Sequence, residues 1–282
     1  MYRAVDMHCD TISGLWRAER EGKPMELRDS SLCVDLQKMQ KGGYLLQNFA
    51  MFVFMGREAD PLVNVLELID EYYRQMEKNQ DMIAPVYCYQ DILNNQAAGK
   101  LSGLLTIEEG GVLKGSIPVL RNLYRLGVRM LTLTWNFENE IGYPHTIVTE
   151  KDYDPSRRYV ASHSNARAVC GHTRNLTDDM IRALADKGGV MGINFCDSFL
   201  SHQGPGTVED MIRHIRHIKN VGGIGCIGLG TDFDGIDNVP EVQNAADMPL
   251  LAQGMEQAGF TDDEIDAVFS GNVLRLYREV LK

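Results

Sequence analysis

The chain has 282 residues, 44% of them hydrophobic and 24% charged, an ordinary globular composition with enough length for a large core. Acidic residues outnumber basic ones 39 to 28, for a formal charge of −11, and no basic stripe is present, which argues against nucleic acid and anionic membrane as partners. No apolar run reaches the roughly 18 residues that span a bilayer, and the opening "MYRAVDMHCD" lacks the apolar core of a signal peptide, so a cytoplasmic protein is expected.

In chain order, short apolar runs alternate with helical patterns, the signature of a parallel sheet with crossover helices. "YRAVDMH" and "YLLQNFAMFVF" read as the first two strands. Asp60 and Pro61 then supply a cap and a first-turn proline for "LVNVLELIDEYYRQM", whose apolar face is predicted as Leu66, Ile69, Tyr73 and Met76. Three more strands follow in "SGLLTIEEG", "VRMLTLTWN" and "RRYVASHS". Thr177 caps "DDMIRALADK", and "GGVMGINFC" is the next strand. Thr207 begins "VEDMIRHIRHIK" with a stripe of Val208, Met211, Ile212, Ile215 and Ile218. "IGCIGLGTDFDG" is the last strand, and Thr261 with Glu264 fits a capping box. That makes seven strands. The segment "IGYPHTIVTEKDYDPSRR" between the fourth and fifth is polar and holds no convincing element.

Polar residues gather at the C-terminal ends of these strands: His8, Asp10, Glu108, Glu109, His163, Asp232 and Asp234. In a (β/α)8 barrel the loops converge at that edge, whereas a doubly wound sheet would not draw ligands from so many strands, so the barrel is favoured. Alternate strand residues share a face, so His8 and Asp10 project together while Cys9 turns away. That pair suits two ligands of one metal, or a histidine oriented by a carboxylate. His8, Asp10, Glu109, His163 and Asp232 are all oxygen or imidazole ligands, a mixture zinc accepts, and a carboxylate can bridge two ions. Their joint chemistry is metal-assisted hydrolysis of an amide, with a carboxylate passing the water's proton to the leaving amine.

Each of these residues also has a purely structural reading. Glu108 and Glu109 could shape a solvated loop, His163 could be a hydrogen-bonded core histidine, and Asp232 and Asp234 could form a turn. His214 and His217 read as a helix flank on the outer ring, and His172 and His202 as loop residues without partners. Six scattered cysteines with no CxxC pair predict reduced thiols and a site not built from sulfur.

"VDMHCD", "LLTIEEGG", "LGVRMLTLTWN", "ASHSNARAVCGHTRNLTDDMIRAL", "GGVMGINF" and "IGLGTDFDG" together resemble the membrane dipeptidase (renal dipeptidase) family of zinc peptidases, in its soluble microbial form. The resemblance runs over nearly the whole chain, most specifically from Ser162 to Leu184. It implies a (β/α)8 barrel in one domain, 1–282, with two zinc ions per chain when the second site is complete. Carried over, His8 and Asp10 bind one zinc, Glu109 bridges, His163 binds the other, Asp232 shuttles the proton and meets the substrate's amino group, and Arg174 pairs with its carboxylate. The implied substrates are dipeptides, including those with a C-terminal D-residue, and the implied assembly is a homodimer.

Two departures from the family pattern stand out. Trp135 occupies a position that often carries an oxyanion-stabilising histidine, for which His145 is a distant substitute. Near 145–158 the family's fifth strand and neighbouring helices are absent, together with a histidine of the second zinc site. Loss of a barrel strand is costly, and three explanations stand: the polypeptide contains a segment that this sequence omits, favoured because the flanking blocks match so closely; the chain is a deletion that folds as an open barrel with an incomplete metal site; or neighbouring chains fill the gap. A barrel that only binds small peptides, or another amidohydrolase, are the competing readings. The second ranks lower because that superfamily opens with HxH rather than HxD.

Overall fold

The computed structural model describes residues 2–56, 60–144, 160–237 and 240–282. Eight parallel strands are present: β1 (Ala4–Cys9), β2 (Tyr44–Phe52), β3 (Ile83–Val86), β4 (Leu101–Glu108), β5 (Met130–Thr132), β6 (Val160–Ala161), β7 (Val190–Ile193) and β8 (Ile227–Leu229). The seven sequence-predicted strands correspond to all of these but β3, a four-residue strand containing Pro85. β3 pairs with the first half of β4 and β5 with its second half. The remaining neighbours run β4, β2, β1, β8, β7, β6.

The sheet is curled. Along a flat sheet β4 and β6 would lie five strand steps apart, about 24 Å. Their ends instead meet: Glu108 Oε1, at the end of β4, is 3.5 Å from Nε2 of His163, just beyond β6. Only a barrel brings those ends together, as the sequence implied. Between β5 and β6 no ladder is formed among the described residues.

Helices wrap the sheet: α1 (Thr11–Arg20), α2 (Leu36–Lys41), α3 (Pro61–Lys78), α4 (Tyr89–Ala97), α5 (Ile117–Arg125), α6 (Asp178–Asp186), α7 (Asp197–Leu200), α8 (Val208–Gly222), α9 (Met248–Gln257), α10 (Asp262–Asp266) and α11 (Asn272–Val280). The predicted caps form, with Asp60 accepting from Leu62, Thr177 from Met180, and Thr207 and Thr261 making capping boxes with Asp210 and Glu264. The α8 stripe is buried as predicted. Of the predicted α3 face, Ile69 and Met76 are buried, but the core side is completed by Val65, Leu68 and Tyr72, with Leu66 41% exposed. The apolar pattern of α3 is broad enough to fit two adjacent faces, and packing against the barrel selects the one a residue away.

All six cysteines are free, and no helix among the described residues is long and apolar enough to cross a membrane.

Candidate metal centre

His8 and Asp10 stand at the end of β1 and just past it, both buried. Glu108 is the last residue of β4, cross-strand from Phe52 on one side and Thr132 on the other. His163 follows β6, and Asp232 follows β8 with a left-handed backbone (φ 65°). Aspartate tolerates that conformation better than most residues, and here it turns the carboxylate back over the strand ends.

These five side chains converge. Nε2 of His8 lies 3.0 Å from Glu108 Oε2, 3.5 Å from Asp10 Oδ2 and 3.8 Å from Asp232 Oδ1. The His8 and His163 rings are 3.9 Å apart between centroids. His8, Asp10 and Glu108 form one group of donor atoms within 4.8 Å of each other, and His8, His163 and Asp232 form a second. Both His8 nitrogens and Asp10 Oδ1 are buried without a hydrogen bond. The 3.0 Å approach of His8 to Glu108 is therefore close but not aligned as a hydrogen bond. Buried donors left orphaned while aimed at a common point are what a cation would satisfy. Oxygen and imidazole donors suit zinc, so the residues present fit a metal ion.

Gly235 makes room for this packing: a Cβ there would stand 2.2 Å from Asp10 Oδ2 and 2.8 Å from Asp232 Oδ1. Gly230 does the same for the segment before His163, since a Cβ would fall 1.8 Å from Ser162 O.

Electrostatics follow from the crowding. Burial opposes ionisation of Glu108, but His8, His163 and Arg174 around it outweigh that and bring its carboxyl down to about 2. Asp232 goes the other way, pushed up to about 7 by burial and by the Asp10 and Glu108 carboxylates. Burial also disfavours a charge on His163, and His8 and Arg174 beside it hold it well below the ordinary histidine range. On His8 burial acts in the same sense, yet Glu108 and Asp10 win and raise it.

Glu109, which the resemblance assigned as the bridging ligand, is corrected by this geometry. It is fully buried but turned out of the cluster, with φ 106°. Its carboxylate accepts hydrogen bonds from Gly111 N (2.8 Å), Trp135 N (3.0 Å) and Asn139 Nδ2 (2.5 Å). The glutamate between the two histidines is Glu108. A strand's side chains alternate, so a one-residue shift of register exchanges which glutamate faces the site.

Arg174 reaches the site, with Nη2 2.8 Å from His163 Nε2 and its guanidinium 5.6 Å from the Phe199 ring. Asn194, unassigned from sequence, donates to Asp232 Oδ2 at 2.9 Å. Its place one residue beyond β7 was the available signal. Asp234 is a loop clamp, accepting from Thr11 Oγ1, Cys33 N and Val34 N. The histidines set aside do have partners. His214 is fully buried between Ala166 N and Leu200 O, His217 contacts Asp178, and His172 lies against Phe199. His202 is 3.6 Å from Cys170 Sγ. His145 lies outside the described residues. A cavity of about 300 Å³ opens over the cluster, lined by Asp10, Glu108, His163, Arg174 and Asp232 with Phe52, Trp135 and Phe199.

Comparison with known proteins places these residues in context. The family model for membrane dipeptidase (peptidase family M19) matches residues 2–158 and 156–282. Dipeptidase aclJ of Aspergillus oryzae is 27% identical, over 88% of this chain and 70% of its own length. That alignment spans 294 positions, more than this chain has residues, so a few tens of them face a gap here. Two crystal structures share the fold. Dipeptidase AC, a metallopeptidase, has a TM-score of 0.89 at 21% identity, covering 99% of both chains. A metallopeptidase from Rhodobacter sphaeroides, liganded with a phosphinate mimic of the dipeptide L-Ala-D-Ala, has a TM-score of 0.88 at 20% identity, covering 100% of this chain and 99% of that one.

Proposed function

Because the chain belongs to the membrane dipeptidase family, peptidase family M19, and is a metallo-dipeptidase of the TIM-barrel fold, we propose that the His8–Asp10–Glu108–His163–Asp232 cluster is its zinc-dependent catalytic centre. The observation that carries the reading is the convergence of buried nitrogen and oxygen donors from the ends of β1, β4, β6 and β8 beneath the cavity, with both His8 nitrogens and Asp10 Oδ1 left without a hydrogen bond.

His8, Asp10 and Glu108 would hold a first ion, with Asp232 beside it. His163 and Asp232, with Glu108 beside them, would face a second ion, at a site that lacks the further histidine the resemblance expects. Bound zinc supplies an acidified water and polarises the scissile carbonyl. Arg174 meets the substrate's terminal carboxylate, for which its planar fork is suited, and Phe199 beneath the guanidinium limits where that carboxylate can lie. Asn194 ties down one oxygen of Asp232 and leaves Oδ1 facing the cluster. That oxygen accepts the water's proton and returns it to the leaving amine, and it also receives the substrate's amino group. We assign Trp135 no oxyanion role.

The reading includes C-terminal D-residues among the substrates, supported by the L-Ala-D-Ala mimic bound to the Rhodobacter sphaeroides relative. It places the protein in the cytoplasm as a single hydrolase domain over 1–282, assembled as a homodimer. The test is release of free amino acids from a panel of L,L and L,D dipeptides. Activity should vanish on chelation and return with zinc. Zinc-loaded protein that cleaves none of the panel would contradict the reading and favour a peptide-binding barrel.

A further inference from the structure

Four aromatic rings stand together at the cavity mouth and belong to no hydrophobic core. Phe52, Phe54, Trp135 and Phe137 are each half-buried. They pack mostly edge-on, with centroids 4.9 Å apart for Phe52–Trp135, 5.2 Å for Phe54–Trp135 and 5.3 Å for Phe54–Phe137. Phe52 and Trp135 line the cavity itself. Both flank Glu108: Phe52 is its cross-strand partner on β2, and Trp135 lies just beyond β5 on the other side. The same cavity is also lined by Asp232, Asp237 and Arg174, so it offers both aromatic and charged groups. A dipeptide has charged termini and uncharged side chains to distribute between them.

The wall is deliberately held. Glu109 is a buried carboxylate in a backbone region that costs an L-residue energy, and it spends its oxygens on the loop that carries Trp135. No charged partner for Glu109 is needed for that role, since three N–H donors satisfy it.

Resting on the dipeptidase reading, we propose that Phe52 and Trp135 form a recognition wall for a bulky apolar side chain of the dipeptide, and that Glu109 is the positioning residue that sets the wall beside Glu108. An aromatic wall gains from burying a large apolar side chain and gives nothing to a charged one.

Steady-state kinetics on Ala-Ala, Leu-Ala, Phe-Ala, Glu-Ala, Ala-Leu, Ala-Phe and Ala-Glu test this. At one of the two positions kcat/KM should rise at least tenfold from Ala to Phe. Phe52→Ala and Trp135→Ala should pull that ratio toward one, chiefly through KM. Glu109→Gln should shrink the same ratio; a merely structural Glu109 would instead slow every substrate by one common factor. A second readout does not depend on turnover. The chain has two tryptophans, so Trp16→Phe leaves Trp135 as the only tryptophan to excite selectively. Its fluorescence should respond to free phenylalanine at lower concentration than to alanine or glutamate. A flat substrate series overturns the proposal. So does a preference for glutamate that disappears in Arg17→Ala, because Arg17 also lines the cavity and has no ion pair among the described residues. If no dipeptide is cleaved, the dipeptidase reading fails on its own, and the fluorescence titration still decides whether the wall binds apolar side chains.

Discussion

The two halves of the barrel hold their ligands by different means. On one side, β2 and β4 pair through seven consecutive residues from Leu46–Ser102 to Phe52–Glu108, and β1 lies beside them. His8 and Glu108 are thus placed by backbone ladders, and their side chains are left free for a ligand. On the other side, among the described residues, β6 covers two residues and pairs with β7. There the His163 ring lies between Ser162 Oγ and Arg174, and the loop that carries it is pinned by side-chain amides. Asn165 donates to Asn194 O at 2.9 Å and accepts from Asn194 N at 2.9 Å, and Asn175 accepts from Asn165 N while donating to Cys170 O and Phe199 O. His214 Nδ1 accepts from Ala166 N. On this side of the described residues, a buried amide network fixes the loop beside the short ladder.

Three perturbations separate these halves. The largest effect is expected for Asp232→Asn, which keeps the shape and the Asn194 contact but removes the proton acceptor. Dipeptide turnover should fall about 10²–10⁴-fold while metal content is largely kept. Full activity in that variant would remove Asp232 from the mechanism. Next, Asn165→Ala leaves buried partners unsatisfied on the β6 side and should cost about 1–3 kcal/mol in denaturant unfolding. An equally buried polar change in the ladder half that spares the ligands, such as Thr106→Val, should cost less, because Thr106 only adds a side-chain bond to Phe49 O over an intact ladder. Equal costs would erase the distinction.

The third effect is pH-dependent. Burial pushes His214 from its ordinary 6.5 down to about 4. Its Nδ1 accepts a proton-bearing N–H, so the folded ring is neutral with Nε2 donating to Leu200 O. The folded pKa is depressed, so the unfolded chain takes up the proton first. The stability His214 contributes is whole above pH 6.5 and is lost progressively as pH falls toward 4, by up to about 3 kcal/mol. Melting profiles of wild type and His214→Gln, compared across pH 7 to 4, should converge at the acid end. Parallel profiles would rule the histidine out as the cause.

The ladder half was the more legible in sequence. "VDMHCD" placed His8 and Asp10 on one strand face, and the runs before Glu108 and Asp232 were apolar enough to mark their strands. Choosing between Glu108 and Glu109 needed the register of β4 and the left-handed turn at Glu109, and adjacent identical residues carry no such signal. β3 was missed because four residues with a central proline lie below what apolar periodicity can register. The amide network was illegible for another reason. Asn165, Asn175 and Asn194 are scattered polar residues whose burial follows only from how the barrel closes around them. The polar gap before β6, by contrast, was plain from the strand count alone.

The central claim is that Glu108, not its neighbour, joins the two sets of ligands. Zinc content and dipeptide turnover of Glu108→Gln and Glu109→Gln, measured side by side after zinc loading and dialysis, test it most directly. The account predicts that Glu108→Gln loses zinc and nearly all turnover, while Glu109→Gln keeps its zinc and still cleaves dipeptides with altered side-chain preference. Zinc retained in Glu108→Gln but lost from Glu109→Gln would contradict it.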